Sequence, residues 1–170
     1  SKKPSAPYRM DLALTYRCNN QCVHCYNESD RMQNELGFDD WKKVIDRVWD
    51  LTIPHVVFTG GEPTIRPDLP ELIGLARNLG FHEIGLTTNA RMFSVPEFAA
   101  EMLESGLNRV SFSLHSAECA VHDALSGVPG AFDQLCRGIS QLSGEASKQD
   151  RKLEIHSVTL LLPATVAGVE

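Results

Sequence analysis

The sequence predicts an α/β fold built on a parallel sheet. Three observations carry that prediction: short apolar runs with strand character, longer stretches with a helical period between them, and connections long enough only for crossover helices. The strand-then-helix order recurs along all 170 residues. Right-handed crossovers wind such a chain into either an open doubly wound sheet or a barrel. A full eightfold barrel needs about 250 residues, so this chain is long enough for a partial one at most.

Met10, Leu12 and Leu14 alternate with polar or small residues and predict a first strand that stops at Tyr16. Residues 38–51 place Phe38, Trp41, Val44, Ile45, Val48 and Leu51 on one helical stripe, ended by Pro54. HVVFTGG (55–61) reads as a short buried strand. In residues 67–80, Asp68 and Glu71 form the pattern of a capping box and Gly80 supplies the stop. HEIGLTTN (82–89) is a third strand, and residues 94–106 a helix with Ser94 and Glu97 as its cap. RVSFSLHS (109–116) alternates cleanly, GAFDQLCRGISQL (130–142) returns to helical spacing, and the polar residues 143–152 predict a loop. LEIHSVTLLL (153–162) is a fifth strand, and residues 164–170 read as the start of a helix. The expectation is one domain over 1–170, cut from a longer parent chain, since the pattern breaks off as a helix begins.

At 42% hydrophobic and 22% charged residues, the chain can bury a sizeable core. A net charge of −6 gives no general attraction to nucleic acid or anionic lipid. No run of about 18 apolar residues occurs, and the first ten residues lack the apolar centre of a signal peptide, so neither a membrane span nor export is expected. The expected compartment is the cytoplasm. Thiols are reduced there, which makes close-set cysteines metal ligands or reactive groups rather than a disulfide framework.

Sites in parallel α/β folds collect at the carboxyl ends of the strands. The unusual segments fall at those ends: CNNQCVHC (18–25) after the first strand, TGGEP (59–63) after the second, TTNA (87–90) at the third and SLHS (113–116) at the fourth. The opposite ends are expected to carry no comparable residues. Cys18, Cys22 and Cys25 supply three thiolates from one loop. A structural zinc would need a fourth ligand, either His24, which lies between two of the cysteines and is poorly placed to serve, or a distant His or Cys. A [4Fe-4S] cluster takes one cysteine per iron, so three leave one iron open to a small molecule. The glycine pair Gly60–Gly61 allows backbone to approach a ligand closely, Glu62 offers an acceptor for an amino group, and Pro63 fixes the turn.

Cys18, Cys22 and Cys25 in C-x3-C-x2-C spacing, followed by GGEP at 60–63, closely resemble the radical S-adenosylmethionine (radical SAM) superfamily. TTNA and SFSLHS also look like that family's third and fourth strand ends. The resemblance implies a partial parallel (β/α)6-type barrel, here truncated after about five strands. It implies a [4Fe-4S] cluster on three cysteines, with S-adenosylmethionine chelating the fourth iron. Reductive cleavage would then give a 5′-deoxyadenosyl radical that abstracts hydrogen from a substrate. Carried over by position, Gly60, Gly61 and Glu62 would bind the methionine amino group and His24 would lie near adenine. Thr88, Asn89 and Ser113 would meet the ribose or the methionine carboxylate. Tyr26 and Asn27 after the last cysteine look most like the branch that often carries SPASM or twitch domains and modifies peptides, proteins or cofactor precursors. A flavodoxin or ferredoxin would be the reductant. The competing reading is a non-catalytic metal-binding interaction module, held by zinc or a degenerate iron–sulfur site. GGEP separates the two, because a structural metal has no use for a ligand cradle on the next strand.

Other residues read as structural. Cys136 falls on the stripe Phe132, Leu135, Cys136, Ile139 and Leu142 and is expected in the core. Cys119 follows the fourth strand near the rim, and no role is expected of it. His156, beside Glu154, reads as a satisfied structural histidine. His115 stands where many family members carry Asp, and the preferred reading is a plain loop histidine over a substrate contact. Trp41 and Trp49 are expected to pack.

Overall fold

In the computed structural model, which describes residues 7–27, 34–162 and Thr165, the apolar runs become five parallel strands. These are β1 (Arg9–Thr15), β2 (His55–Gly60), β3 (Glu83–Thr88), β4 (Arg109–Ser113) and β5 (Glu154–Val158), paired in chain order. Sequential order means that every crossover winds the same way. That decides for a barrel-type sheet over a doubly wound one, whose strand order reverses at a switch point. The sheet is not closed: among the described residues β1 and β5 are its outer strands.

Helices α1 (Phe38–Asp50), α2 (Leu69–Leu79), α3 (Pro96–Ser105) and α5 (Ala131–Lys148) pack in succession, α1 on α2, α2 on α3 and α3 on α5. Register aligns Leu12 with Phe58, Phe58 with Leu86, and Leu86 with Val110. All four side chains are buried in the core beneath the helices. The alternate residues Thr59, Thr87 and Ser111 stay half-buried on the other face, as the period of two requires. Trp41 is buried, and Trp49 packs against Phe81 at 5.1 Å between ring centroids, so both tryptophans do pack.

Several local expectations are overturned. Asp68 precedes α2 but makes no capping hydrogen bond; its carboxylate is held instead by Arg66, with Nε at 2.9 Å and a second guanidinium nitrogen at 2.6 Å. A charged bidentate pair outcompetes a neutral amide for the same oxygens. Ser94 does not cap α3, which starts after Val95; its hydroxyl donates to Arg91 O at the end of a 3₁₀ turn. Residues 143–148 belong to α5 rather than to a loop. Leu142 and Ala146 continue the buried stripe there, and that burial outweighs the unfavourable Gly144. The buried stripe of α5 runs Ala131, Leu135, Gly138, Leu142 and Ala146, which leaves Cys136 exposed instead of in the core. An eight-residue helix, α4 (Cys119–Ser126), occupies a stretch with no predicted element. The amino ends of the strands are not bare either: His55, Glu83, Arg109 and Glu154 line a polar cavity of about 250 Å³ there, with Glu83 2.8 Å from Arg109. His156 faces Glu154 at 3.7 Å and is 45% exposed. Of the helix expected over 164–170, only Thr165 lies within the described residues.

Candidate functional site

The carboxyl ends of β1 to β4 converge on one cleft of about 290 Å³. It is lined by Cys18, Cys22 and Cys25, by His24 and Tyr26, by Gly60, Gly61 and Glu62, and by Thr88, Asn89 and Ser113. The segments singled out in the sequence therefore form one site, although up to 95 residues separate Cys18 from Ser113. Pro63 does not line the cleft; it is buried as the first residue of the 3₁₀ turn Pro63–Ile65. Tyr26 lines it with its side chain largely in solvent.

The glycine pair, besides lining the cleft, has a close partner within the chain. A Cβ on Gly60 would sit 2.2 Å from Thr15 O, and one on Gly61 would sit 2.2 Å from Arg17 O and 2.7 Å from Tyr16 O. The close approach is to the chain's own backbone. Gly61 N–H donates to Thr15 O at 2.6 Å and Glu62 N–H to Arg17 O at 2.8 Å, which draws the end of β2 against the residue before Cys18.

Glu62 is 1% exposed and accepts four hydrogen bonds. Oε1 receives Thr64 N–H at 3.1 Å, Thr64 Oγ1 at 2.6 Å and Thr88 Oγ1 at 2.7 Å; Oε2 receives Asn89 N–H at 2.7 Å. Burial pushes its carboxyl above the ordinary pKa, against the opposing pull of those donors. Thr88 and Asn89 thus serve the glutamate directly, tying the rim of β3 to that of β2. The Asn89 side chain goes further and donates to Asn19 Oδ1 at 2.6 Å, at the start of the cysteine loop.

The cysteine loop is tethered on every side. Asn27 is 5% exposed and donates to Gly60 O at 3.3 Å. Arg91 donates to Asn19 O and, at 3.0 Å, to Asn20 Oδ1. Asn20 N–H lies 3.3 Å from Cys18 Sγ. The sequence singles out Asn27 only as a branch feature after the last cysteine and not as a tether, and it gives no signal for Arg91, whose partners are 72 and 71 residues away. His115 is not a plain loop histidine. It is 7% exposed, lines the cleft, and meets the His24 ring edge-on at 4.6 Å. Burial, then the neighbouring His24 and His122, lower its pKa to about 4, so it is neutral at pH 7. The Nδ1 atoms of His24 and His115 are both buried and have no hydrogen-bond partner among the described residues.

These features fit the implied cofactors. Three thiols from one loop face a cleft whose opposite wall is an acidic, amide-rich turn, and two buried imidazole nitrogens beside them await a partner. Among the described residues no three His, Cys, Asp or Glu side chains are arranged around a single ion; a [4Fe-4S] cluster instead takes one thiolate per iron.

The family model for the radical SAM superfamily matches residues 12–162. The chain belongs to the radical SAM superfamily. Members of this enzyme family bind a [4Fe-4S] cluster and S-adenosylmethionine. The radical SAM chain is 36% identical over 157 residues to an Fe-coproporphyrin III synthase of Methanosarcina barkeri, covering 91% of this chain and 38% of that protein. It is 39% identical over 131 residues to an AdoMet-dependent heme synthase of Nitratidesulfovibrio vulgaris, covering 76% and 35%. It thus spans well under half the length of these relatives. Among solved structures it superposes on Streptococcus suis SuiB bound to its precursor peptide SuiA with a TM-score of 0.73 at 21% identity, covering 97% of this chain and 36% of that one. The radical SAM fold is a partial barrel, in agreement with the unclosed sheet. No helix among the described residues is long and apolar enough to cross a membrane.

Proposed function

We propose that this chain is the cofactor-binding core of a radical SAM enzyme that acts on a cofactor precursor of tetrapyrrole type. The observation that carries the reading is the convergence of Cys18, Cys22 and Cys25 with the Gly60–Gly61–Glu62 turn in one cleft. Together the cluster and S-adenosylmethionine supply reductive cleavage of a sulfonium and a 5′-deoxyadenosyl radical for hydrogen abstraction. The chain's own part is to hold and orient. Cys18, Cys22 and Cys25 would hold the cluster, and Gly60, Gly61 and Glu62 would receive the methionine amino group, with the Glu62 carboxyl oriented by Thr64, Thr88 and Asn89. His24 and Tyr26 would contribute to the wall that receives S-adenosylmethionine, His24 on the adenine side, and Ser113 would meet the ribose or carboxylate. A low-potential flavodoxin or ferredoxin delivers the electron.

The heme-related relatives, above 30% identity over most of this chain, support a tetrapyrrole substrate; SuiB supports the fold, and its peptide remains the second reading. The test is EPR of the anaerobically reconstituted, reduced protein with and without S-adenosylmethionine. A [4Fe-4S] signal that changes on its addition is expected. A zinc-loaded protein, or a cluster signal indifferent to the cosubstrate, would overturn the reading and favour the binding module. For the substrate class, iron coproporphyrin added to the intact protein is expected to show a saturable Soret shift, and a flat titration would remove tetrapyrroles.

A further inference from the structure

Helix α4 stands outside the strand–helix alternation and packs between the cysteine loop and α5. Two main-chain hydrogen bonds join the loop to its last turn: Gln21 N–H donates to Ser126 O at 2.9 Å and Val23 N–H to Leu125 O at 3.0 Å. The two donors flank Cys22. The last carbonyls of any helix lack partners within it, so the loop completes the helix while the helix fixes the loop. Gly127 ends α4 at φ +68, and a Cβ there would lie 2.3 Å from Gln21 O. Both the backbone conformation and the close contact demand glycine.

The other side of α4 is anchored to α5. Asp123 accepts Gly130 N–H at 2.6 Å and Phe132 N–H at 2.9 Å. A column of rings crosses the same gap: His24 to His115 at 4.6 Å, His115 to His122 at 5.8 Å, and His122 to Phe132 at 5.7 Å. His122 is 2% exposed, and its Nδ1 accepts His115 N–H at 3.3 Å, which ties α4 to the end of β4.

We propose that α4 is a clamp that sets the position of Cys22 and Cys25 before any cluster binds, with Gly127 and His122 as its positioning residues. The proposal rests on the cysteine loop being the cluster's seat. A loop ordered in advance does not have to lose its freedom when the ligand arrives. Its placement also sets the exposure of, and hydrogen bonding to, the cluster sulfurs, which govern cluster potential.

The test uses wild type, Gly127→Ala, His122→Leu and His122→Asn. In cluster-free protein, the amides of Gln21 and Val23 are expected to be protected from hydrogen exchange. Gly127→Ala and His122→Leu raise their exchange by roughly tenfold, the factor for losing one to two ordinary hydrogen bonds, while amides of β2 and β3 stay unchanged. In the reconstituted intact protein, both variants release iron to a chelator roughly tenfold faster and shift the EPR g-values. His122→Asn, which keeps an acceptor where Nδ1 stood, restores both. Wild-type amides 21 and 23 exchanging at open-loop rates would overturn the clamp, as would variants with normal iron release and EPR. If Gly127→Ala does not fold, the His122 pair decides alone. If wild type takes up no cluster, the functional reading fails, and the exchange data still judge the clamp.

Discussion

Gly61→Ala tests the backbone seam on which the site is built. The added Cβ would lie 2.2 Å from Arg17 O and 2.7 Å from Tyr16 O, against an ordinary contact of about 3.5 Å. Both obstacles are backbone atoms, so no side chain can rotate away; the ends of β1 and β2 must separate by about 1 Å. That movement breaks Gly61 N–H to Thr15 O at 2.6 Å and Glu62 N–H to Arg17 O at 2.8 Å. Two hydrogen bonds at about 1 kcal/mol each and an overpacking cost of about 1–3 kcal/mol give about 3–5 kcal/mol of destabilisation. For a chain of this size each kcal/mol moves Tm by about 2–4 °C, so a fall of about 10 °C is expected in a thermal melt. Gly144→Ala is the matched control. A Cβ there meets nothing within 4 Å, and the helix gains up to about 1 kcal/mol. Because the seam also positions Cys18 against Glu62, Gly61→Ala should weaken the EPR response to S-adenosylmethionine as well. A Gly61→Ala protein that melts within about 2 °C of wild type would refute the reasoning, since even the low end of the combined cost, about 3 kcal/mol, exceeds that.

The remaining predictions concern buried polar groups. Glu62→Gln sets an amide donor against Asn89 N–H or against the Thr64 and Thr88 donors, and should weaken S-adenosylmethionine binding at constant cluster content; unchanged binding would remove Glu62 from the site. In wild type the raised Glu62 pKa means that the native state holds a proton the unfolded state has lost, so its contribution to stability falls as pH rises above the ordinary carboxyl value; Glu62→Gln should flatten that part of the melt-versus-pH curve. Arg66 is 6% exposed and donates to Leu14 O at 3.0 Å and to Asp68. Arg66→Met leaves both acceptors without their cation and should cost about 3 kcal/mol in chemical denaturation, and a loss below about 1 kcal/mol would contradict the pairing. His115, with its pKa lowered to about 4, stays neutral while the unfolded chain takes up a proton below pH 6.5. Cluster-free protein should therefore lose stability as pH falls from 6.5 towards 4, and His115→Gln should reduce that slope; an equal slope in both would assign the effect elsewhere.

Much of the site was legible because its motifs are local. The three cysteines fall within eight residues and GGEP within four, and each follows a strand whose apolar pattern is plain. Strand order was not legible, since the same alternation serves a doubly wound sheet and a barrel, and only pairing decides. The function of the glycine pair was half legible. Its sequence announces a close approach, but not that Thr15 and Arg17 make it. Cys136 was misplaced for a physical reason: residues one position apart on a helix lie 100° apart, and the burial of Ala131, Gly138 and Ala146 beside Leu135 and Leu142 turns the stripe away from it. Small residues carry little apolar signal yet here mark close approaches, as at Gly138 of α5, whose Cβ would sit 2.4 Å from Ala90 O in the turn after β3. Helix α4 escaped because eight residues give barely two turns of periodicity.

The tethers that sequence cannot show share one pattern: each rim segment is held by another rather than by its own strand. Glu62 after β2 is held by Thr88 and Asn89 at the end of β3, Asn27 in the cysteine loop reaches Gly60, and Asn89 and Arg91 reach back to Asn19 and Asn20. Hydrogen-bond networks of this kind are coupled, so deleting one member is felt by the others. It follows that Glu62, which directly follows the glycine pair, and Asn27, which donates to Gly60 O, should not act additively. A Glu62→Gln, Asn27→Ala double variant should lose less stability than the sum of the single losses, because the first break already frees Gly60 and Gly61 to move. Strict additivity in that cycle would mean that the rim is a set of independent loops, and the convergence of the four strand ends on one cleft would then owe nothing to the bonds between them.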